Sequence, residues 1–539
     1  MTGTPLLAGT ATLTLALAAF TASAHEASAG SERLGKVHFK VECNAEAQKE
    51  FDLAMAYYHS FAFGFMTAPL ERVLKADPQC GMAHWARALA SLNNPFAWPV
   101  IVTPHALADG AAALDAARAT GLKSERERGY VEATAAFYRD HDKLNHRTRA
   151  QAFEAELEKL AQRYPDDREA AILHALVLSA NFDPTDKQYT NQLRAARILE
   201  PIFKAMPDHP GAAHYLIHSY DYPPIAKQGI DAARRYSKIA PDASHAQHMP
   251  SHIFTRVGWW RDSIESNRAS AKSDAERGWN SMHAYDYMVY AHLQLNQDQA
   301  ARAVMNEAFG LAKKPDHVAA AYAYAAIPAR LALERGDWAA AANLELTPAA
   351  ASGFPWQKYP FAEAVNAFAR GVGAARMKDV AAAQAEVKRL QQLRDAMTAL
   401  KSAYWADQID INAEVVTGLA AIADGHNDEG VETLRKAAAR EDATEKHAVT
   451  PGPIVPAREV LASVLLELGK PADALREYEA ALTREPNRLR STLGAAQAAE
   501  RAGDAAKARA YNSKVAELTD AADAPRPEVV QARRAAGRG

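Results

Sequence analysis

The chain is 539 residues long and carries 62 Lys and Arg against 65 Asp and Glu, a formal net charge of −3. That length exceeds what one globular core fills, so several domains or a repeat array must accommodate it. The near balance of charge, with no long block of one sign, argues against nucleic acid as a partner and against a polybasic membrane-binding surface.

From the N-terminus, the apolar run "LLAGTATLTLALAAF" leads to Ala22-Ser23-Ala24, the small-x-small pattern that signal peptidase accepts. A signal peptide over 1–24, cleaved after Ala24, is the expectation, which places the mature chain in the periplasm or outside the cell. The opening "MTGTP" departs from that pattern by lacking Lys and Arg. The apolar run is shorter than the roughly 20 residues of a spanning helix, and no later segment qualifies, so the mature chain is expected to hold no integral membrane segment. Residues 25–36 read as a flexible N-terminal segment. Cys43 and Cys80 are the two cysteines. In an oxidising compartment they are expected to pair as a disulfide, two buried free thiols being the alternative. The absence of a CxxC pair speaks against a thiolate zinc site.

Repeats organise the rest. "LLELGKPADALREYEAALTREP" is a helix, a turn at Gly469 and a second helix closed by Pro486. Thirty-four residues on, Gly503 answers Gly469, Ala508 answers Ala474 and Val515 answers Ala481. This is the tetratricopeptide period, with small residues where paired helices cross. Weaker copies surround Gly258, Asn296 and Gly336 at wider spacings, and one ends at Pro78. Period-2 alternation is almost absent, so the fold class is all-α: a tetratricopeptide-like solenoid, a right-handed superhelix of helix-turn-helix repeats. The divisions read as N-terminal helical repeats over 37–200, histidine-rich repeats over 201–310, central repeats over 311–448, a Pro-rich loop over 449–457, C-terminal repeats over 458–520 and a disordered tail over 521–539. The Pro-rich loop is a plain connector or lies across the groove.

Two segments align on the repeat period, "MPDHPGAAHYLIHSYD" and "APDASHAQHMPSHIFT". His214 matches His248 and His218 matches His252, each at an offset of 34. Both are HxxxH pairs on the first helices of successive repeats, at positions that line the concave groove. Histidines four apart on a helix stand about 5–6 Å apart at Cβ, within reach of one ion. Neighbouring helices pack about 8–10 Å apart, so the two pairs can face one another as a four-histidine cage. Asp221 falls on the same face as ligand or as orienter of a ligand, and His245, His283 and His209 are candidates for an additional site. Protonated imidazoles crowded together repel, and an ion removes that repulsion. Imidazole with carboxylate and no thiolate suits Zn, Cu, Fe or Ni. A proton-active or anion-binding cluster and a set of structural hydrogen-bonding residues are the alternatives. Ser244 with Gln247 makes a capping box, and Pro250 should kink the helix between His248 and His252.

The stretches "VHFKVECNAEAQKEFDLAMAYYHSFAF", "KADPQCGMAHWARALA", "HPGAAHYLIHSYDYP", "IAPDASHAQHMPSHIFTRVGWW" and "PGPIVPAREVLASVLLELGKPADALREYEAALTREPNR", in that order, resemble a family of exported bacterial tetratricopeptide-repeat proteins. The resemblance implies the helical-repeat architecture and a location outside the cytoplasm. Its pattern carries His214, His218, Asp221, His245, His248 and His252, all present here, while Asp286 stands where a further family histidine is expected. No reaction follows from it. The residues leave two hypotheses: a metal-dependent enzyme or metal-handling protein, or a scaffold whose concave groove binds a peptide or protein partner.

Overall fold

The computed structural model describes residues 32–538 apart from 100, 275–277, 313 and 350–351. The signal peptide expected over 1–24 lies outside the described residues. Among the described residues there are helices and no strand, and from Arg33 onward the chain is one unit. It is an all-α solenoid of antiparallel helix pairs with the tetratricopeptide layout. Ala45–His59 pairs with Thr67–Ala76, Pro210–Tyr220 with Ile230–Ile239, Trp279–Gln294 with Asp298–Phe309, and Ala457–Glu467 with Pro471–Arg484.

The turn residues read from the repeats do the same job in space. Gly258, Asn296, Gly336, Gly469 and Gly503 all take positive φ, between 53° and 80°. Gly258 also has no room for a side chain, since a Cβ there would sit 2.4 Å from the Pro486 carbonyl oxygen. Alanines fill the crossings: Ala212, Ala213, Ala232 and Ala233 are all buried, which lets the helices approach closely. Cys43 and Cys80 form a disulfide with their Cα atoms 5.4 Å apart, joining the start of Ala45–His59 to the start of Gly81–Ser91.

The described parts of both ends are more ordered than the sequence reading expects. In the segment 25–36, the described part is docked: Leu34 is buried, the Lys36 amide donates to the Asp208 carbonyl at 2.9 Å, and Arg33 pairs with Asp242 at 2.8 Å. Asp208 and Asp242 lie just before the two histidine-bearing helices, so this segment clamps their starts. The tail expected to be disordered over 521–539 contains the helix Pro527–Ala535, which packs on Ala505–Leu518 and buries Val529. Arg526 reaches back to Asp298 at 2.7 Å, with both side chains nearly buried. The pattern "APRPEVVQARRAAGRG" is too polar to announce a core helix, and a buried ion pair with a distant repeat supplies what the composition does not.

Two features bind later repeats to earlier ones. Arg488, fully buried, pairs with Glu334 at 2.6 Å and Glu459 at 2.7 Å. The segment between Asp442 and Ala457, including the Pro-rich loop, lies across the helices of the histidine region. Arg330 donates to the Thr450 hydroxyl and to the Gly452 and Pro453 carbonyls, and Tyr287 donates to the Thr450 carbonyl at 3.2 Å.

Candidate metal centre

The first histidine helix, Pro210–Tyr220, starts with Pro210 in its first turn and His209 as its N-cap, a good start because the proline sacrifices only an amide that would be unpaired anyway. Every one of its residues is buried. The second is broken as Pro250 demands, into Ser244–His248 and Pro250–Arg256 with Met249 between them. The capping box expected of Ser244 and Gln247 does not form: Ala243 is the N-cap, and Gln247 turns its amide to the carbonyls of Ser237 and Pro241. Trp279–Gln294 brings His283 to the same place.

The expected four-histidine cage resolves into two triplets. The nitrogen ligand atoms of His214, His218 and His245 lie within 4.8 Å of one another, and so do those of His248, His252 and His283. His245 and His283, read as members of an additional site, each complete one triplet. The triplets adjoin, with ring centroids 6.1 Å apart between His218 and His252 and 6.2 Å between His245 and His248. His245, from the same short helix as His248, joins the first pair, and His283, from a third helix, joins the second.

The hydrogen bonds fix most of the tautomers. His214 Nδ1 donates to the His59 carbonyl at 2.6 Å, which leaves Nε2 as a lone pair 3.1 Å from His245 Nε2. Asn267 commits its amide N–H to the Ser263 carbonyl, so its oxygen accepts from His248 Nδ1 at 2.6 Å. Asp221 accepts from His252 Nδ1 at 2.8 Å. Both Nε2 atoms of that second pair therefore present lone pairs, and they face each other at 3.0 Å. Two acceptors at that distance are relieved by a shared proton or a metal ion between them; nitrogens on one tetrahedral ion, about 2.0 Å from it, stand roughly 3.3 Å apart. Two further ring nitrogens, His218 Nε2 and His283 Nδ1, are buried with no hydrogen-bond partner, a cost that a ligand would remove.

Burial, and then the neighbouring imidazoles, hold His214, His218, His245 and His283 well below the ordinary histidine range. That favours the neutral ring, the form a metal ion takes. Aromatic rings wall the site. Phe96 stacks on His218 with centroids 3.8 Å apart, Phe61 lies 4.3 Å from His214 and 5.4 Å from His245, Tyr236 stacks on His214, and Tyr287 packs against all three histidines of the second triplet.

Asp221, expected as ligand or as orienter of a ligand, hydrogen-bonds the ring of His252. Besides His252 it accepts from Arg256 at 2.9 Å and Lys446 at 3.1 Å. Burial opposes its ionisation, yet Lys446 and Arg256 hold its carboxyl well below the usual range. His209, also read as an additional candidate, lies apart from the triplets. Its Nδ1 accepts from the Ala212 amide, so Nε2 donates to Glu169 at 3.0 Å, and Glu169 also meets His59 Nε2 at 3.0 Å. This buried His59–Glu169–His209 group supports the backbone carbonyl that orients His214. Asp286 is paired with Arg330 at 2.8 Å, and both are buried.

Sequence reasoning missed His59, Phe61, Phe96, Glu169, Asn267, Arg256 and Lys446. The nearest signal was in "AYYHSFAF", which holds His59 and Phe61 but no periodic partner. Behind Asp221 a cavity is floored by Arg256 and Lys446 and walled by Tyr322, Phe361, Tyr404 and Trp405. Burial pushes the Glu441 carboxyl at its edge up to about 7.

No protein-family model matches the chain, and no curated protein matches it. Among solved structures, the chain is similar at 11% identity to a monomeric mutant of IFIT1 with Gppp-AAAA, over 81% of this chain and 90% of that one, with a TM-score of 0.36. It is similar to yeast Tom70 at 12% identity over 91% and 88% of the two chains, TM-score 0.28, and to the TPR domain of P58(IPK) at 11% identity over 92% and 98%, TM-score 0.21.

Proposed function

We propose that this is an exported helical-repeat protein that holds two transition-metal ions, one on His214, His218 and His245 and one on His248, His252 and His283, as a metal-dependent enzyme. The observation that carries the reading is the pair of facing lone pairs on His248 and His252, each fixed by a partner on the far side of its ring. Three imidazoles per ion leave coordination positions open, the arrangement of reactive rather than structural sites. Zn, Cu, Fe and Ni all suit this donor type. The orienting contacts from Asp221, Asn267 and the His59 carbonyl are the kind that set ring direction and ligand basicity.

Elemental analysis of protein purified without chelators from its own compartment tests this. Two equivalents of metal per chain are expected, falling to one in H248A/H252A and to one in H214A/H218A. A metal-free wild type that takes up no ion on addition of Zn, Cu, Fe or Ni would overturn it.

A second reading, a scaffold that binds a peptide or protein partner, is favoured by the aromatic cavity beside Lys446. It predicts that capture of a partner survives loss of both metal pairs and fails in W405A.

A further inference from the structure

We infer, resting on the two-ion reading, that both positions take copper in its cuprous state and that the pair binds dioxygen. The argument starts from charge. Six imidazoles bring no negative charge to the ions. The nearest carboxylate, Asp221, is already matched by Arg256 at 2.9 Å and Lys446 at 3.1 Å, so it has no charge to spare for the ions. Two divalent ions would add four positive charges in a site whose ligands are almost all buried, and two cuprous ions add two. Burying uncompensated charge is among the most expensive things a protein does, and nothing within the two triplets offsets the larger sum. Glu169 is spent on His59 and His209, and Glu445 and Glu485 are engaged with Arg256 and Lys446.

Coordination points the same way. A divalent zinc ion on three imidazoles keeps a fourth ligand, ordinarily solvent. Cuprous copper is satisfied by three. The triplets are walled by Phe61, Phe96, Tyr236 and Tyr287, an enclosure that favours an apolar diatomic over water or a charged substrate.

Dioxygen also solves the charge problem. Each cuprous ion gives one electron; the O–O bond order falls from two to one, both ions become cupric, and the oxygen becomes a peroxide dianion between them. No proton is required. The net charge of the centre is two before and after the step, so binding adds no charge to the buried site. Two adjacent one-electron donors match a two-electron acceptor, which explains why the fold duplicates its histidine pair instead of closing one four-ligand cage.

The test uses the full-length mature protein, stripped of metal and loaded under nitrogen with cuprous ion, with zinc as the competitor. Two equivalents of cuprous ion are expected to bind and to resist displacement by zinc. On admission of air the protein should develop an intense near-ultraviolet charge-transfer band while remaining silent in electron paramagnetic resonance, because the two cupric ions couple. H283A, which retains the first triplet, should lose the band entirely; a circular dichroism melt establishes that it folds. Displacement of copper by zinc, a colourless protein in air, or the resonance of two isolated cupric ions would each overturn the copper and dioxygen assignment while leaving the two-ion reading standing. Uptake of neither ion would instead sink the two-ion reading itself.

Discussion

His248 and His252 face each other through their Nε2 atoms at 3.0 Å, and each has already given its other ring proton, to Asn267 and Asp221 respectively. Neutral rings in that arrangement repel. The same contradiction is absent from the His59–Glu169–His209 group, where a carboxylate stands between the imidazoles. One cluster closes on itself electrostatically, and the other calls for an ion.

Asp221 fixes the ring of His252 and balances two buried cations, so D221N should act twice. Affinity for the ion of the second triplet should fall by about 10- to 100-fold, with the first triplet little changed, as read by chelator competition. Arg256 and Lys446 would lose their hydrogen-bonded counter-charge, at a cost of up to roughly 3–5 kcal/mol for a broken buried pair, visible as a lower Tm. Unchanged binding at both positions would remove Asp221 from the site.

Glu169 touches no proposed ligand, yet it holds His59, whose carbonyl receives the proton of His214 Nδ1. E169Q should therefore weaken the first triplet about tenfold and spare the second, the reverse of D221N. The two variants together test whether the six histidines form two sites or one.

Acid should unfold the metal-free protein early. Burial lowers His146, His317 and His447 to about 4 each, while in the unfolded chain they titrate near about 6.5. Below pH 6.5 the unfolded state binds protons that the folded state refuses, so stability is full above that value and is lost as pH falls toward 4. Melts of the metal-free protein should show Tm dropping steeply across this window and levelling beneath it. A Tm independent of pH between 6.5 and 4 would contradict the burial of these rings.

Removing residues 521–539 should destabilise the array, because Asp298 loses Arg526, keeping only Arg335 as an ion-pair partner, and the cover over Leu489 and Val515 is lost. A truncation at Asp520 is expected to melt several degrees below the full chain. An unchanged melt would restore the reading of this segment as a loose tail.

The repeat period and the histidine pairs were legible because duplication writes the same residues at a constant offset: Gly503 after Gly469, His248 after His214. His245 and His283 were legible only as candidates for an additional site, since which pair each joins depends on how the helices pack, and His283 comes from a third helix. His59, Phe61 and Phe96 come from the first repeats, 155 residues from His214 in the case of His59, and reach the site only because the superhelix curls. Lys446 arrives from a loop that crosses the groove. The terminal helix was missed because its order comes from one buried arginine and a few apolar contacts, not from an apolar stripe.

The most direct measurement is anomalous X-ray scattering from crystals of metal-loaded protein. Two separate peaks are predicted, one bounded by His214, His218 and His245 and the other by His248, His252 and His283. A single peak shared among His214, His218, His248 and His252, or none at all in crystals that carry metal elsewhere, would contradict the account.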